Sequence, residues 1–551
     1  MRSTEGIRAP GRTLALLAMA LPLGLLAGTA HAALTISTAA TSNVKCKAGT
    51  CTATAKKAVL NVSQLEQLLQ SASVKVVSGP KAGDIAIATA LSWTTGSGLT
   101  LDAYQSIAVQ NQVAVSGAGA VSLITDDGGT GGTLSFSGKG ALQFKSLTNA
   151  LTINGTPYTL AGTVAALASD IAANASGAYA LAAPYNAKRD GTYAASPIGS
   201  GFTGSLQGLG NTISNLAIND QTSGAQVGLF ALIAAGGSVS NLGLTNVTIA
   251  AGSGSLVGAL AALNNGTIAN VYSSGSLTGG DGANIGGLVG RSYQASISQS
   301  YSSATVTDTA DTDIGGLVGL NYNAAITLSY ATGAVVGGVN YASGGLVGVS
   351  LSDGNAPVSI SQCYATGAVS GGSNDGVGGL VGANQSSGAA AIISQSWASG
   401  AATSNANSAV TGGLVGYNQD GAIQNSFATG QASAAANEFV GGLVGFEDAA
   451  SSIADSYSSG PVAGGSGTYI GGLIGYDNSG EANADAYWDT TTSGVSNLAQ
   501  GAGNIANDTG ISGLTTAQLQ AGLPAGFAAS IWKEKAGING GLPYLIALPP
   551  K

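Results

Sequence analysis

A glycine-rich phrase recurs along the second half of this chain and constrains its fold more than any other feature. It reads Ile-Gly-Gly-Leu-Val-Gly over residues 285–290, and the last copy has Leu-Ile in place of Leu-Val. The first glycine of each Gly-Gly pair stands at Gly286, Gly315, Gly344, Gly378, Gly412, Gly441 and Gly471. A period of about 30 residues is typical of repeat architectures, in which each copy stacks on the next. These glycines therefore mark the register of the repeat.

A second phrase, an Ile followed by Ser and an aromatic residue, accompanies each glycine phrase. Its aromatic residues are Tyr272, Tyr301, Tyr330, Tyr364, Trp397, Phe427 and Tyr457. From the aromatic residue to the next Gly-Gly the distance is 14 residues, or 15 for Trp397, whereas the distance forward from Gly-Gly varies from 15 to 20. A solenoid predicts such one-sided variation, because one corner projects as a loop that tolerates insertion. We expect variable loops at 349–359, 383–392 and 401–411.

Composition favours short strands. The 551 residues include 87 Gly, 44% are hydrophobic and only 8% are charged, which is the reverse of a disordered chain. Gly costs about 1 kcal/mol per helix-interior position relative to Ala, which disfavours a helical bundle. Gly with β-branched residues suits short strands joined by tight corners. The predicted fold class is all-β, a solenoid of about 30-residue coils with short helical caps.

The first 32 residues are typical of a secretory signal peptide. Arg8 and Arg12 precede the apolar run 14–26, and Ala30-His31-Ala32 matches a small-residue cleavage site. The apolar run is shorter than the ~20 residues that a membrane span needs, and no later segment is apolar for long enough. We expect an exported protein, secreted or held at a bacterial cell surface or outer membrane, with no transmembrane segment after cleavage. His31 is the only histidine, so the mature chain has no imidazole for catalysis or metal binding.

Local patterns divide the mature chain into segments. Leucines at helical spacing predict a helix over 62–69 with Ser63 as its N-cap, and similar spacing predicts helices near 163–174 and 514–519. Short apolar runs every 8–12 residues predict strands between the first two helices. The expected domains are an N-terminal cap (33–78), a first β-solenoid segment (79–160), a helix and linker (161–199), the repeat array (200–490) and a C-terminal cap (491–551).

Three cysteines remain to be placed. Cys46 and Cys51 lie close together in a Lys-rich turn, and in an oxidising compartment a local disulfide is the favoured interpretation, with a metal pair as the lesser one. Cys363 stands where other repeats carry Ser. We interpret it as a small buried residue, since no His is present to activate it as a nucleophile.

The repeat resembles the GLUG repeat of large bacterial exported proteins, named for its Gly-Leu-x-Gly phrase, over about residues 200–490. The stretch from about 84 to 218 is similar to parts of filamentous-haemagglutinin-type adhesins: a strand series with Asp-Asp-Gly-Gly (126–129), Leu-Thr-Ile-Asn-Gly (151–155) and a Phe-x-Gly opening (202–204). The resemblance implies a right-handed parallel β-helix that serves as a surface stalk or adhesin.

The charges of the array disfavour several functions. With pI ≈ 4.5 and no basic patch, nucleic acid is not an expected partner. Between residues 254 and 475 the only basic residue is Arg291, so an anionic polysaccharide would find little to hold it. We therefore predict a non-enzymatic, adhesin-like surface protein without cofactor, which contacts glycan or protein ligands through its variable loops.

Three alternatives accompany this prediction. A carbohydrate-active or polysaccharide-binding β-helix would have its site around Asp126 and Asp127, although adjacent Asp before Gly-Gly is more often a turn. Asp308, Asp311 and Asp313 could bind calcium, because hard cations take carboxylates on flexible loops, but solvated loop charge is the favoured interpretation. The aromatic residues could stack sugars if exposed; spaced four residues from an Ile, as Tyr330 is from Ile326, they are predicted to be core.

Overall fold

The computed structural model describes residues 32–308, 313–339, 341–372, 376–405, 409–436, 438–448, 450–480 and 482–550. These residues form a parallel β-solenoid of about 16 turns with a repeat of about 29 residues and few helices, which confirms the predicted all-β solenoid. The predicted signal peptide, 1–32, lies outside the described residues except for its last position. None of the helices described is both long and apolar enough to cross a membrane.

The first stack of coils has three faces. One consists of Ala33–Ser37, Ala58–Asn61, Asp84–Ile87, Ile107–Val109 and Leu134–Phe136. The second consists of Leu91–Trp93, Gln112–Val115 and Ala141–Phe144. The third consists of Val44–Lys47, Thr50–Ala53, Val74–Val77, Leu99–Asp102, Val121–Ile124 and Leu151–Ile153. Like residues stack: Leu34 pairs with Ile85, and Ile85 with Ile107.

A hairpin and a helix close the N-terminal end of this stack. Val44–Lys47 and Thr50–Ala53 pair antiparallel, and a disulfide joins Cys46 to Cys51. The helix Val62–Leu69 buries its Leu65 and Leu69 in the first core, and a short helix spans Gly79–Ala82. The N-cap of the helix Val62–Leu69 is Asn61 and not the predicted Ser63. Asn61 is the last extended residue, and its Oδ1 accepts from Gln64 N at 3.2 Å.

The strand direction reverses between the two stacks. Leu151–Ile153 pairs antiparallel with Thr156–Ala161 across Asn154 and Gly155, whose φ angles are 47° and 78°. A two-residue hairpin turn of this kind needs such positive φ angles, which Asn and Gly adopt at low cost. The second stack then grows by parallel pairing from Thr156–Ala161 onward.

The stretch 161–199, for which a helix and a linker were expected, contains the expected helix, and short strands follow it. It contains the helix Val164–Ala173, the 3₁₀ helix Ala187–Asp190 and the strands Ala178–Leu181, Tyr185–Asn186 and Thr192–Tyr193. Tyr185 pairs with Ile213 of the next coil, and Leu142 N donates to Leu209 O at 2.9 Å across the two stacks. The two stacks therefore touch directly.

Two faces of the second stack flank the Gly-Leu corner. The glycine face consists of Gln226–Val227, Leu256–Gly258, Asn284–Gly286, Asp313–Gly315, Ala342–Gly344, Gly376–Gly378, Val410–Gly412, Phe439–Gly441 and Tyr469–Gly471. The valine face consists of Phe230–Ile233, Ala261–Asn264, Val289–Tyr293, Val318–Tyr322, Val347–Ser352, Val381–Ser386, Val415–Gln419, Val444–Glu447 and Ile474–Asp477.

The third, aromatic face has up to three short strands per coil. It consists of Ser205–Gln207, Thr212–Ser214, Ala217–Asp220, Ser238–Ala251, Thr267–Thr278, Ser296–Ser298, Tyr301–Ser302, Thr305–Thr307, Ala325–Thr327, Tyr330–Ala331, Val335–Val336, Val358–Ser361, Tyr364–Ala365, Val369–Gly371, Ala391–Ser394, Trp397–Ala398, Ala402–Ser404, Gly421–Gln424, Phe427–Ala428, Ala432–Ser433, Ser452–Ser458, Val462–Ala463, Ala484–Asp489 and Ile511–Leu514. Coils thus continue past residue 491, where a cap was expected.

The C-terminal segment, residues 515–550, folds back along the outside of the stack. It contains the helix Thr516–Leu519, the antiparallel pair Trp532–Lys533 and Tyr544–Leu545, and the 3₁₀ helix Asn539–Gly541. Its Trp532 and Leu545 are buried against the aromatic face, in a cluster separate from the core inside the coils. This segment therefore covers a side of the solenoid.

Candidate functional site

The glycine phrase forms a corner with no room for side chains. In the copy that begins at Gly378, an added Cβ would overlap Val381 O and Gly416 N, and at Gly379 it would overlap Gly413 O of the next coil. None of these glycines has a positive φ, so close approach of backbones, and not an unusual backbone conformation, requires Gly here. The register glycines pair with one another in successive coils, as Gly286 does with Gly315. The phrase is structural.

The aromatic residues lie outside the core that fills the coils, so the prediction that they share a face with the Ile is wrong. Ile326 is fully buried inside the coil, whereas Tyr330 is only half-buried and outside that core. Between each Ile and the next aromatic residue one residue has φ of 45–55°: Asn270, Gln299, Leu328, Gln362, Gln395, Asn425 and Asp455. A left-handed residue bends the strand and breaks its two-residue alternation, which turns the aromatic side chain outward.

The Ser before each aromatic residue forms an internal ladder. Ser300 Oγ donates to Ser298 O at 2.8 Å and accepts from Val271 N of the preceding coil at 3.1 Å. Cys363 occupies the same place, with its Sγ 3.2 Å from Ser361 O and its N donating to Ser396 Oγ. Burial raises the pKa of this thiol to about 12. It is therefore a sealed member of the ladder.

The aromatic side chains stack into one continuous column. Ring centroids are 5.0 Å apart for Tyr272–Tyr301, and 4.6 Å apart for each of the next three steps from Tyr301 to Trp397, with interplanar angles of 3–7° over these steps. Phe427 and Tyr457 continue the column, and Tyr487 pairs with Tyr457 in the following coil. Each inner ring face is covered by the neighbouring ring, so the column presents ring edges outward.

The C-terminal segment covers half of the column. Trp397, Phe427, Tyr457 and Tyr487 are at most 8% exposed. Trp532 packs on Phe427, with centroids 5.9 Å apart, and its Nε1 donates to Asn425 Oδ1 at 3.0 Å. The sequence predicts this segment as a terminal cap. Its contact with the column joins residues far apart in the sequence, so no local sequence pattern indicates it.

The other half of the column stays open and lines a groove. Tyr301, Tyr330 and Tyr364 form one wall with Thr332 and Thr366, and residues 537–540 and 547–550 form the other. The cavity has a volume of about 1170 Å³, and no charged residue lines it among the described residues. A smaller cavity of about 240 Å³ lies beyond it, between Tyr272, Tyr301 and the 136–140 turn of the first stack.

The open tyrosines keep their protons. Burial, helped by the neighbouring hydroxyls of Tyr330 and Tyr272, raises the pKa of Tyr301 to about 12, and burial also raises the pKa of Tyr272, Tyr330 and Tyr364. No hydrogen bond joins these four hydroxyls to any residue in the described part of the chain. The groove therefore offers a row of hydroxyl donors without partners.

The alternative site at Asp126 and Asp127 is an exposed turn. Asp126 Oδ1 accepts from Gly132 N at 2.7 Å, as a turn residue does. A hydrogen bond to Asp102, together with the charge of that carboxylate, raises the pKa of Asp127. Asp102 itself is buried and pairs with Lys75 Nζ at 2.6 Å. Neither Asp126 nor Asp127 lines either of the two cavities above.

The calcium hypothesis falls partly outside the described residues. Asp311 belongs to the stretch 309–312, which is not described, so the triple with Asp308 and Asp313 stays a prediction. Asp313 accepts from Asn284 Nδ2 at 2.9 Å. Burial raises its pKa to about 7, although that hydrogen bond and the charge of Arg291 act in the opposite direction. Elsewhere in the described ranges, no group of three or more His, Cys, Asp or Glu could hold a metal ion.

The variable loops are shorter than predicted. Val347–Ser352 and Val381–Ser386 extend into the stretches 349–359 and 383–392, which leaves 353–357 and 387–390 as the projecting parts. The third, 401–411, contains Ala402–Ser404 and includes 406–408, which is not described. In the first loop Asp353 accepts from Asn323 Nδ2 at 2.7 Å and from Tyr322 Oη at 2.9 Å, and these bonds with those from Asn355 lower its pKa.

In comparison with known proteins, two family models match stretches of the second stack. The family model of the GLUG motif matches residues 281–307 and 407–433. The chain carries the GLUG motif. A model described as the N-terminal region of the M26 IgA1-specific metallo-endopeptidase matches residues 160–275, which precede the first of these GLUG motifs. The two matched stretches thus lie next to each other in the second stack.

The chain is also similar to three individual proteins. It is 43% identical over 91 residues to Halomucin of Haloquadratum walsbyi, which is 16% of this chain and about 1% of the length of that relative. A putative immunoglobulin A1 protease from Bacteroides ovatus is 17% identical, with 71% of this chain and 92% of that chain covered and a TM-score of 0.30. An IgA1 protease is 20% identical, with 64% and 24% covered and a TM-score of 0.31.

Proposed function

We propose that this chain is an exported, non-catalytic β-helical protein that contacts cell-surface or matrix molecules along the side of its solenoid. The open half of the aromatic column carries this proposal. A groove of about 1170 Å³, lined within the described residues by unpartnered hydroxyls, exposed ring edges and no charged side chain for acid–base chemistry, is suited to binding.

The chemistry of the remaining array supports a binding role. Cys363 is sealed within the serine ladder, and Glu447 is buried inside the coils with its pKa raised well above the ordinary value by burial and by the charge of Asp477. Groups held in this way do not meet a substrate. The projecting loops at 353–357 and 387–390 add contact surface beside the valine face.

Binding of the purified chain to immobilised glycans, extracellular-matrix proteins and whole cells tests the proposal. We expect saturable binding to at least one cell-surface or matrix component and no turnover of it. A chain that binds none of them would contradict the proposal.

The carbohydrate-active alternative rests on the turn with Asp126 and Asp127, where the neighbouring Asp102 raises the pKa of Asp127, as a second carboxylate does in some acid–base sites. Release of reducing ends from polysaccharides that is abolished by Asp127→Asn would favour it. We expect no release by either chain.

A further inference from the structure

The covered half of the column shows what the outward edges of its rings contact. Trp397 Nε1 donates to Leu548 O at 3.0 Å, Tyr457 Oη to Pro543 O at 2.7 Å and Tyr487 Oη to Ala525 O at 3.3 Å. Each covered ring that has a donor thus donates to a main-chain carbonyl of the C-terminal segment. Phe427 has no donor, and the side chain of Trp532 packs on it.

The open half continues the same surface without a break. The Tyr364 and Trp397 rings are stacked 4.6 Å apart at the boundary between the two halves. Beyond the boundary, the hydroxyls of Tyr364, Tyr330 and Tyr301 repeat at the coil spacing, and within the described chain they have no acceptor. The row of donors thus continues into the open half. The main chain of the C-terminal segment, which accepts from the donors of the covered half, reaches only the far wall of the groove.

The stacking of the rings disfavours sugars and nucleobases as ligands. Both bind aromatic side chains by lying on an open ring face. Tyr301 and Tyr330 lie between parallel rings at 4.6–5.0 Å, so neither has a free face. Ring edges with hydroxyls suit carbonyl oxygens and aliphatic side chains instead.

Leu328 supplies a second, independent observation. It stands in the column of left-handed residues, with φ 50°, where the neighbouring coils have Gln299 and Gln362. Asn, Asp and Gln carry polar side chains, whereas Leu gains no hydrogen bond that would offset the strain of this conformation. Its half-buried side chain lines the groove beside Tyr301 and Tyr330. An apolar side chain kept at a strained position in a groove is an anchor for an apolar ligand.

We propose that the open half of the aromatic column is a docking groove for an extended, apolar polypeptide segment of a partner protein. Main-chain carbonyls of that segment accept from the hydroxyls of Tyr301, Tyr330 and Tyr364, and its aliphatic side chains pack on Leu328 and the ring edges. The segment therefore lies along the solenoid axis, in line with the C-terminal segment. This inference rests on the proposed function and names its partner as protein.

A labelled peptide that copies residues 541–550 of this chain is a suitable probe, because it has the chemistry already bound on the covered half. Fluorescence anisotropy with the full mature chain gives its affinity. The double variant Tyr330→Phe/Tyr364→Phe removes only two hydroxyls, and we expect it to weaken binding about tenfold. Leu328→Gln restores the side chain of the neighbouring coils, and we expect weaker binding without a lower thermal midpoint. Tyr469→Phe, on the glycine face, is the matched control.

Two outcomes would overturn the inference. One is equal peptide affinity of the wild type, the double variant and Leu328→Gln. The other is binding of neutral oligosaccharides such as maltoheptaose, with loss of that binding in the same variants and no binding of the peptide. A chain that adheres to cells equally well with and without the two substitutions leaves the proposed function standing and removes this groove from it.

Discussion

Trp397 and Leu548 are 151 residues apart in the chain, and a hydrogen bond of 3.0 Å joins the indole Nε1 of the first to the carbonyl oxygen of the second. This bond lies at the boundary between the covered and open halves of the aromatic column. It fixes where the C-terminal segment stops covering the aromatic column, and therefore where the groove begins.

Removing this donor should loosen the end of the C-terminal segment. Trp397→Phe keeps a ring in the stack but leaves Leu548 O without its partner, a loss of about 1 kcal/mol. We expect faster hydrogen exchange of the amides in residues 544–548 by mass spectrometry. Tyr364→Phe, one coil away, removes a hydroxyl without a partner and should leave that exchange unchanged. Equal acceleration in both variants would show that the bond does not hold the segment.

The glycine corner should tolerate no side chain. Gly378→Ala places a Cβ against Val381 O and Gly416 N, both main-chain atoms, and we expect a loss of about 2–4 kcal/mol. Gly96→Ala is the matched control: no atom lies within 4 Å of its added Cβ. The urea midpoint should fall clearly for the first variant and stay within error for the second. Similar midpoints would mean that the corner can widen.

Cys363 should be inert while the chain is folded. Its thiol is fully buried, and burial holds its pKa at about 12, so a thiol reagent at pH 8 finds neither access nor thiolate. We expect no reaction with Ellman's reagent until denaturant is added. Cys363→Ser should keep or raise the thermal midpoint, since Ser300 and its equivalents donate to the same carbonyl position. Rapid labelling of the folded chain would contradict the sealed ladder.

Stability should fall as the pH rises above about 4. Burial raises the folded-state pKa of Glu447 well above its unfolded value, so the unfolded chain ionises first and gains about 1.4 kcal/mol for each pH unit between the two. The contribution of neutral Glu447 is therefore complete at low pH and is lost as the pH rises towards the folded pKa.

Thermal unfolding from pH 4 to pH 8 measures this effect. Glu447→Gln should have a higher midpoint than the wild type at pH 8 and a similar one at pH 4, because Gln mimics the neutral acid. Asp281→Asn, on an exposed turn, should follow the wild type throughout. If the thermal midpoints of the wild type and of Glu447→Gln change with pH in the same way, Glu447 does not cause the loss of stability.

The repeat was predictable because every coil contains the same glycine phrase and the same aromatic phrase. The constant distance between Tyr330 and Gly344 sets the register, and close backbone approach at the corner demands Gly in every copy. The outward turn of the tyrosines was not predicted, since it depends on the left-handed backbone of one residue, Gln299 or Leu328, that the sequence does not single out. Strict two-residue alternation from the Ile predicts the column in the core.

The groove could not be predicted for a different reason. It exists because residues 515–550 return to coils more than a hundred positions earlier, and such a contact leaves no periodicity in the sequence. The tyrosines of the open half differ from the covered aromatic residues only in what lies over them. Part of the serine ladder, by contrast, could be predicted: Cys363 stands at a position where other repeats have Ser, which indicates a small buried residue there.

The antiparallel joint at Asn154 and Gly155 separates two stacks, and only the second has the column. In that stack the C-terminal segment covers a fixed number of coils. The length of the open groove is therefore set by the number of coils that the segment does not cover. Duplication of one coil between Tyr272 and Tyr364 would add one ring and one hydroxyl, and would lengthen the ligand by one step without altering the contacts of the C-terminal segment with the covered half. The length of ligand that this solenoid can bind therefore changes in steps of one coil.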